Sequence, residues 1–281
     1  MEEKDFKKFI IEALLEDVGE GDHSSIGSIS QSTTNKAQLL IKEKGIIAGV
    51  ELATMIFKQV DPNLKIDVLI KDGTEVDRGD IAFIIEGNSI SILSGERVVL
   101  NCMQNMSAIA TKTAYLKSLI SETDCQLLDT RKTTPLNRKL EKWAVRIGGG
   151  NNHRFGLYDM IMIKDNHIDF AGGINHAIQK TKKYLKEKKK NLDIIVEARD
   201  IKEVKEILHE GGIKRILLDN FDYKTTTDAV NLIGNNCQTE SSGGITEKTI
   251  LEYAKCGVDF ISIGALTNSR INFDLSLKAI T

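Results

Sequence analysis

The sequence predicts an α/β protein, with an open, incomplete TIM-like barrel as its larger part and a smaller α+β sandwich domain before it. Beyond residue 120, short apolar runs that end in polar residues alternate with helical stretches. Successive run ends at Glu197, Asp219, Ser241 and Gly264 lie about 22 residues apart, which is the length of one α/β unit. The first hundred residues instead place strand-like runs next to one another, a pattern typical of an α+β domain.

The amino-terminal region is expected to form the sandwich domain. Apolar residues at helical spacing predict a helix over residues 4–16, and a second helix is expected from Leu52 to Gln59. Around them, the runs AQLLIKEKG, IIAGVE, IDVLI and IAFIIEG indicate strands. The domain is predicted to cover residues 1–106, with 269–281 packing on it. A long helical stretch that begins at ILSGERVV, expected as two helices, leads to the second domain.

Six apolar runs predict the strands of the barrel domain, residues 107–268. They are CQLLDTRK, MIMIKDN, DIIVEAR, RILLDN, QTESSGG and DFISIGA. Continuous apolar strands followed by helices indicate a parallel sheet covered by helices. An open doubly wound sheet would concentrate functional residues at one switch point, whereas a barrel places every strand end around one mouth. Because nearly every run ends in a functional-looking residue, the barrel is favoured, and six units rather than eight make it incomplete.

Composition argues against several classes of protein. The 281-residue chain has a formal net charge of -2, so no global charge favours nucleic acid or an acidic membrane surface. No apolar run approaches the roughly 20 residues of a membrane helix. The four cysteines form no C-x-x-C pair, as expected of a reduced, cytoplasmic protein. Any anion-binding site must therefore come from a local cluster of cations.

Such a cluster lies between residues 129 and 168. Arg131, Lys132, His153, Arg154 and Lys164 follow apolar runs or a glycine turn, unlike the scattered cations of a solvated face. In the predicted barrel they would meet at the mouth, and this predicts a pocket for a small polyanion. Arginine favours bidentate binding of carboxylate or phosphate, whereas lysine acts as a point charge.

Acids and glycines at later strand ends extend the predicted site. Glu197 and Asp219 are placed to hold magnesium together with water and phosphate oxygens, or to stabilise a positively charged transition state. The glycine-bearing ends ESSGGIT and SIGALT would let backbone N–H groups approach a phosphate. This combination suggests a phosphorylated sugar and a carboxylate-bearing partner as substrates.

Structural interpretations stay open beside these functional ones. Glu197 and Asp219 would then only neutralise Lys164 and Arg131, and His153 would only satisfy the glycine turn.

Other polar residues are interpreted as structural from their positions. His167 is one of them, and Arg97, beside Glu96, is typical of a surface ion pair. Four basic residues at helical spacing are interpreted as solvated, with the option that one reaches a phosphate: Arg138, Lys139, Lys142 and Arg146.

In these residues and in the motifs around them, the chain resembles the quinolinate phosphoribosyltransferase family. The motifs DTRKTTP, GGGNNHRFGL, IKDNHI, the VEAR strand end, ILLDN, ESSGGIT and SIGALT occur in the family's order, with GERVVLN upstream. The match runs from EDVGEGDHSS to the carboxyl terminus, and seven ordered motifs are far more specific than one. The resemblance implies a type II phosphoribosyltransferase fold that works as a homodimer or larger oligomer. It implies that quinolinate and phosphoribosyl pyrophosphate give nicotinate mononucleotide, pyrophosphate and carbon dioxide in NAD biosynthesis, with magnesium.

The resemblance also implies residue roles. Lys132, Lys164, Glu197 and Asp219 would be catalytic, and the two acids would face the ribose and the metal, directly or through water. Arg97 would reach the pocket from a neighbouring subunit, which replaces its interpretation as a surface pair. The residues implied around the quinolinate carboxylates are Arg131, Lys132, His153, Arg154 and Lys164, with Thr130 beside them. Those implied to hold phosphate are Ser242, Gly243, Gly244, Gly264, Ala265 and Leu266.

Two positions depart from the family's pattern. Leu136 follows Pro135 where glycine is usual, and Asn268 stands where histidine is frequent. Both lie near the expected site, so they bear on the rate and the phosphate contacts rather than on the type of reaction.

Three other functions fit parts of the pattern. A phosphoribosyltransferase-like protein of molybdenum transport loci shares the fold and some basic motifs, although the intact HR-x-GL and KDNHI blocks argue against it. A barrel lyase would use Lys164 to form a Schiff base, but the arginines and the late glycines fit anions better. A non-catalytic anion-binding protein would bind both substrates without releasing pyrophosphate.

Overall fold

The structure is a computed structural model that describes residues 6–268 and 273–280. These residues form two compact units. Unit 1 holds 6–114, 139–149 and 273–280, and unit 2 holds 115–138 and 150–268. Of the carboxyl-terminal segment 269–281 that the sequence assigns to the sandwich domain, residues 269–272 and 281 lie outside the described residues.

Unit 1 is an α+β domain built on an antiparallel sheet. Its elements are α1 (Lys7–Val18), α2 (His23–Ser28), β1 (Thr34–Ile41), β2 (Gly45–Ile46), α3 (Val50–Val60), β3 (Lys65–Val68), β4 (Glu75–Val76), β5 (Ile81–Asn88), most of α4 (Ser89–Ser118) and β12 (Leu275–Ile280). The main sheet has the order β12-β1-β5-β3, and β2 pairs with β4.

Alternation along the strands buries one face of this sheet. In β1, Ala37, Leu39 and Ile41 are buried while the residues between them are partly exposed. Helix α3 adds Phe57, whose ring meets that of Phe83 in β5 edge-on with 6.1 Å between centroids. This layer of helix on antiparallel sheet confirms the predicted α+β domain.

The helix that follows β5 is longer than expected. The prediction of two helices is wrong, because α4 continues for 30 residues without a break. Gly95 does not interrupt it. The ring of Phe57 packs where a side chain would otherwise stand, because a Cβ at Gly95 would be only 2.9 Å from that ring. A glycine inside a helix costs roughly 1 kcal/mol relative to alanine, and the packing of the Phe57 ring offsets that cost.

Unit 2 alternates strands and helices. Its elements are β6 (Gln126–Leu128), the first residue of α5 (Arg138–Ile147), β7 (Ile161–Ile163), α6 (Asp165–Ala171), α7 (Ile174–Glu187), β8 (Ile194–Ala198), α8 (Ile201–Glu210), β9 (Arg215–Asp219), α9 (Tyr223–Ile233), β10 (Gln238–Ser242), α10 (Ile250–Lys255), β11 (Phe260–Ser262) and α11 (Ala265–Asn268). The six predicted strands are all present.

The six strands form one parallel sheet in the order β6-β11-β10-β9-β8-β7. All five residues of β8 are buried, as expected for a strand covered on both faces. At the free edge of β6, Asn151 forms a single parallel bridge with Leu128 and donates its N–H to Leu127 at 2.8 Å. The described strands do not close into a ring, which confirms the open, incomplete α/β barrel.

Residues 139–149 group differently from the ranges predicted for the two domains. They belong to α5 and the turn after it, yet they are part of unit 1. There the ring of Trp143 stacks on Phe6 with 4.9 Å between centroids. Because an aromatic pair buries a large apolar area, α5 contributes its tryptophan to the core of unit 1.

No helix among residues 6–268 and 273–280 is both long enough and apolar enough to span a membrane.

Candidate active site

A pocket of about 820 Å³ opens at the carboxyl ends of the strands in unit 2. Residues that follow β6, β7, β9, β10 and β11 line it, because parallel strands direct these ends to one side. The predicted site residues in its wall are Thr130, Arg131, Lys132, His153, Arg154, Lys164, Asp219, Ser242, Gly243, Gly244, Gly264 and Ala265.

Three predicted site residues are not part of this wall. Leu266 is fully buried in α11, and Glu197 is a buried residue of β8 that contacts Lys164. Arg97 is an exposed residue of α4 in unit 1. The pocket of unit 2 therefore brings together twelve of the fifteen predicted substrate-binding residues.

Arg131 and Arg154 form a cationic side of the pocket. Burial lowers the pKa of Arg154, and the positive charge of Arg131 lowers it further, while Asp159 opposes the change. The two guanidinium groups therefore repel each other. A dianion between them would relieve this repulsion, because each guanidinium can pair with one carboxylate.

His153 is oriented by contacts on both sides of its ring. Its Nδ1 accepts the backbone N–H of Arg154 at 2.6 Å, so the ring proton is on Nε2. Nε2 lies 3.3 Å from Oε2 of Glu240, and the backbone N–H of His153 donates to Asp129 at 2.8 Å. These contacts fix the tautomer and the direction of the imidazole, so His153 does more than satisfy a glycine turn.

Glu240 is a fully buried acid that the strand-end pattern of the sequence does not indicate. Arg215 donates from Nη1 to Oε2 of Glu240 at 2.8 Å, and its guanidinium lies 3.8 Å from the ring centroid of Phe260. Burial alone would raise the pKa of Glu240, but His153 and then Arg215 outweigh it and hold that pKa below its usual value. The group lines the pocket as part of a buried, charged cluster. A glutamate inside an otherwise buried strand was the signal available in the sequence.

Lys164 and Asp219 add further charges to the pocket wall, and Glu197 contacts Lys164 without lining the pocket. Nζ of Lys164 donates to Oε2 of Glu197 at 2.6 Å. Burial raises the pKa of Asp219, and the charge of Glu197 raises it further, against the opposing effects of Lys164 and of a hydrogen bond from Asn220. The charge of Glu197 therefore acts on Asp219, and two carboxylates this close are placed to share a cation.

Two glycines of the predicted phosphate site lie against other site residues. Gly243 has a φ of 96°, and a Cβ there would overlap the side-chain amide of Asn220, whose backbone N–H donates to Ser242 at 2.9 Å. A Cβ at Gly264 would stand 2.7 Å from the side chain of Lys132. A side chain at Gly243 would collide with Asn220, and one at Gly264 would displace the Lys132 side chain, so a larger residue at either position would disturb the pocket wall.

Asn220 is a second residue of the site for which the sequence gives only a weak signal. It takes a positive φ of 58°, lines the pocket, and donates from Nδ2 to Asp219 at 2.6 Å. Asparagine tolerates this conformation better than most residues. The contact orients the carboxylate of Asp219, and the sequence LDN was its only signal.

His167 and the basic residues of α5 need separate accounts. The Nδ1 of His167 accepts the backbone N–H of Lys164 at 3.0 Å, which supports the start of α6, and the residue also lines the pocket. Lys142 is 3% exposed, so the interpretation of this residue as solvated is wrong. Arg146 is exposed as expected, whereas Arg138 donates three hydrogen bonds and is not simply solvated.

A magnesium ion would have to be held by few protein oxygens. Within residues 6–268 and 273–280, no three His, Cys, Asp or Glu side chains are grouped as a metal site. Glu197 and Asp219 are close enough for the charge of one to raise the pKa of the other. A site with two carboxylates suits magnesium when water and phosphate oxygens complete its shell.

The fold and the pocket together define a class: an open α/β-barrel protein whose strand-end pocket has the cations and glycine-bearing turns that suit a polyanionic, phosphate-bearing small molecule. Comparison with known proteins places the chain within that class. A model described as the amino-terminal domain of quinolinate phosphoribosyl transferase matches residues 22–107, and one for the carboxyl-terminal domain matches residues 109–278. The chain belongs to the quinolinate phosphoribosyltransferase family.

Individual relatives agree with this assignment over almost the whole length of this chain. The chain is 46% identical to the chloroplastic nicotinate-nucleotide pyrophosphorylase (carboxylating) of Arabidopsis thaliana, over 99% of this chain and 83% of that one. It is 39% identical to a probable nicotinate-nucleotide pyrophosphorylase of Bacillus subtilis, over 96% and 92%. The crystal structure of NadC from Streptococcus pyogenes superposes with a TM-score of 0.94 at 33% identity, covering 100% and 99% of the two chains.

Proposed function

We propose that this protein transfers the phosphoribosyl group of phosphoribosyl pyrophosphate to quinolinate and removes one carboxylate, giving nicotinate mononucleotide, pyrophosphate and carbon dioxide in NAD biosynthesis. Family membership supports the reaction type. The observation that carries the proposal is one pocket whose wall combines two neighbouring arginines with glycine-bearing strand ends. Such a pocket suits a dicarboxylate beside a phosphorylated ribose.

The cationic side is proposed to bind quinolinate. Arg131 and Arg154 would pair with its two carboxylates, with Lys132 and Lys164 adding point charges. The imidazole of His153 is oriented by Glu240 and by the Arg154 backbone. It would contact one edge of the quinolinate ring and so limit where the ring can lie. Holding the pyridine nitrogen near the anomeric carbon of the ribose is a positioning task, and a fixed set of cations performs it.

The acidic and glycine-bearing side is proposed to bind the ribose and phosphates. Departure of pyrophosphate leaves positive charge on the ribose, and the carboxylates of Asp219 and Glu197 would stabilise that charge. Ser242, Gly243 and Gly244 at the end of β10 would hold phosphate through backbone N–H groups. Gly264 and Ala265 would do the same at the end of β11, with Leu266 supporting them from the core.

We also propose magnesium as the cofactor. Asp219 and Glu197 would hold it, directly or through water, and the ion would neutralise charge on the leaving pyrophosphate.

Ribosyl transfer is proposed to precede decarboxylation. Once the ring nitrogen is bonded to the ribose it is positively charged. The bond between ring carbon 2 and its carboxylate can then break, and the electron pair left on carbon 2 is stabilised by the adjacent nitrogen. A proton then replaces carbon dioxide at that carbon. Accumulation of free nicotinate before any nucleotide would contradict this order.

A shared active site in a homodimer or larger oligomer is part of the proposal. Arg97 is an exposed residue of unit 1, and it does not line the pocket in unit 2 of the same chain. Leu157 in the pocket wall is also 71% exposed, and its neighbour Tyr158 is 70% exposed. Exposed apolar groups of this size favour a protein partner, and a second copy would supply Arg97 to the pocket.

The alternative functions are less well supported. A lyase would need the Lys164 amine free to attack a carbonyl, but Glu197 holds its Nζ at 2.6 Å. The protein of molybdenum transport loci and the non-catalytic binder share the cationic pocket, and only turnover separates them from the proposed enzyme. The relatives from Arabidopsis and tobacco are described as chloroplastic and mitochondrial, so the cytoplasmic location stays a prediction for this chain.

One assay tests the proposed function. Quinolinate labelled in its 2-carboxylate is incubated with the protein, phosphoribosyl pyrophosphate and magnesium, and released carbon dioxide and pyrophosphate are measured together. We expect equal amounts of both, and neither when one substrate is omitted. Binding of both substrates without pyrophosphate release would instead identify an anion-binding protein.

A further inference from the structure

We infer that Arg138 is a positioning residue that sets the separation of Arg131 and Arg154, and with it the preference of the pocket for two adjacent carboxylates. The inference rests on the proposed function, because it takes Arg131 and Arg154 as the groups that bind the dicarboxylate. Arg138 itself is not part of the pocket wall.

The side chain of Arg138 joins two loops of unit 2. The first loop lies between β6 and α5 and contains Arg131 and Thr133, and the second lies before β7 and contains Phe155. Its Nε donates to Oγ1 of Thr133 at 2.9 Å, and its Nη2 donates to the carbonyl oxygen of Arg131 at 3.3 Å. Its Nη1 donates to the carbonyl oxygen of Phe155 at 2.9 Å, and the guanidinium lies 5.9 Å from the Phe155 ring centroid. One planar group thus holds both loops at three points.

Each of these acceptors belongs to a proposed quinolinate ligand or to its neighbour in the chain. Arg131 is itself a ligand, Thr133 follows Lys132, and Phe155 follows Arg154. A shift of either loop would therefore move a cation relative to the bound ring. The contacts are made to backbone carbonyls and a hydroxyl, so they restrain the loops without neutralising any charge in the pocket.

Such a restraint is needed because the two pocket arginines repel each other. The positive charge of Arg131 is one of the causes that lower the pKa of Arg154. At the base of the second loop, Asp129 accepts the backbone N–H of His153 at 2.8 Å and fixes that point. Arg138 binds the same loop two residues later in the chain, at the carbonyl oxygen of Phe155. Together the two attachments hold Arg154 in place before substrate arrives, which lowers the entropic cost of binding.

Lysine cannot reproduce this arrangement. Its ammonium is a point charge on a flexible stem, whereas the arginine fork presents several N–H donors in one rigid plane. Arg138→Lys therefore keeps the charge of the region and removes the geometry. Arg146→Lys is the matched control, since Arg146 is an exposed arginine of the same helix.

The test uses two unreactive dicarboxylates that differ only in geometry. Phthalate carries its carboxylates on adjacent ring carbons, as quinolinate does, and isophthalate carries them one carbon further apart. Binding of each to the full-length protein is measured by isothermal titration calorimetry for wild type, Arg138→Lys and Arg146→Lys. Steady-state KM for quinolinate and for phosphoribosyl pyrophosphate is measured in parallel.

We expect wild type and Arg146→Lys to favour phthalate over isophthalate. Arg138→Lys should bind phthalate at least tenfold more weakly and lose most of that preference. Its KM for quinolinate should rise by a similar factor while its KM for phosphoribosyl pyrophosphate changes less. An Arg138→Lys protein that keeps its phthalate affinity and selectivity within twofold of Arg146→Lys would overturn the inference.

A milder variant covers the case in which Arg138→Lys fails to fold. Thr133→Val removes one acceptor at constant shape, and it should weaken phthalate binding in the same direction by a few-fold, with an unchanged melting temperature. Unchanged phthalate binding in Thr133→Val, with Arg138→Lys unfolded, would also overturn the inference. Failure of the proposed function is distinguishable, because wild type itself would then neither bind phthalate nor turn over quinolinate.

Discussion

Arg215 donates a 2.8 Å hydrogen bond to Glu240 from the neighbouring strand, and neither side chain is more than 10% exposed. The same carboxylate lies 3.3 Å from His153 Nε2, so the pair connects the strands under the pocket to a proposed substrate ligand. Removing one partner of a buried ion pair is costly, because the other charge stays buried without compensation. This cluster therefore bears on both stability and function.

Glu240 should make the stability of the protein depend on pH. Its pKa is lowered in the folded state, so its contribution is fully present above the ordinary glutamate pKa of 4.5 and is lost as the pH falls through the lower folded value. Wild type should lose more free energy of unfolding between pH 6 and acid conditions than Glu240→Gln does. Urea unfolding at a series of pH values measures this difference.

Glu240→Ala should also be destabilising at neutral pH. We expect a loss of about 3–5 kcal/mol, because Arg215 would remain buried and unpaired. The matched control is Glu252→Ala, whose partner Lys255 is 2.9 Å away on the surface, and it should cost less than about 1 kcal/mol. Equal losses of unfolding free energy in the two variants would show that the buried cluster contributes no more to stability than a surface ion pair.

Arg154→Ala should mainly weaken quinolinate binding. The loss is expected to be about 2–5 kcal/mol, because a carboxylate of the ligand would lose its charged partner in a partly buried site. The readout is KM for quinolinate together with direct binding of phthalate. Arg199→Ala is a suitable control, since Arg199 pairs with Asp169 and Glu203 on the surface. Unchanged quinolinate affinity in Arg154→Ala would refute its assignment.

Much of this site could be predicted from the sequence because it lies at strand ends. Apolar runs that stop at a charged residue, such as the run before Lys164 and the run before Asp219, place that residue at the barrel mouth once the strands are known to be parallel. Glu240 could not be selected in this way. It lies inside a strand, and its role depends on Arg215 and His153, which are distant in the sequence.

The differences between the predicted and the observed fold have local physical causes. Gly95 is a helix breaker by propensity, but the ring of Phe57 fills the space beside it and α4 continues. Helix α6 gives little sequence signal, because it has only 7 residues and because the N–H of its N-cap residue Lys164 is satisfied by His167, a contact that no spacing rule predicts. Trp143 looked like part of the barrel domain from its position in the chain, yet it stacks on Phe6.

Leu136→Gly should stabilise the protein. Leu136 has a φ of 65° and follows Pro135 in a turn in which the N–H of Asn137 donates to Thr134 at 3.1 Å. A side chain in this conformation costs about 1–2 kcal/mol, and the greater freedom of glycine in the unfolded chain returns about 0.5–1 kcal/mol of that. We expect a net gain of about 0.5–1 kcal/mol in urea unfolding.

Leu136→Ala is the control for this substitution. It removes the same side chain, which is 98% exposed, but keeps the Cβ that causes the strain. Its stability should stay within about 0.5 kcal/mol of wild type. If alanine stabilised the protein as much as glycine does, loss of the exposed apolar group rather than relief of the backbone would be the cause.

Arg97→Ala should abolish activity although Arg97 lies in unit 1, because the proposed site takes this arginine from a second subunit. Lys132→Ala should be inactive for a different reason, since it removes a cation from the pocket wall itself. When the two inactive proteins are unfolded together and refolded, each mixed dimer contains one pocket with both native residues. An equal mixture should therefore recover about a quarter of the wild-type activity. Arg78→Ala, a change at another exposed arginine of unit 1, should stay active by itself. An inactive mixture, with mixed dimers present in native mass spectra, would mean that each subunit completes its own site.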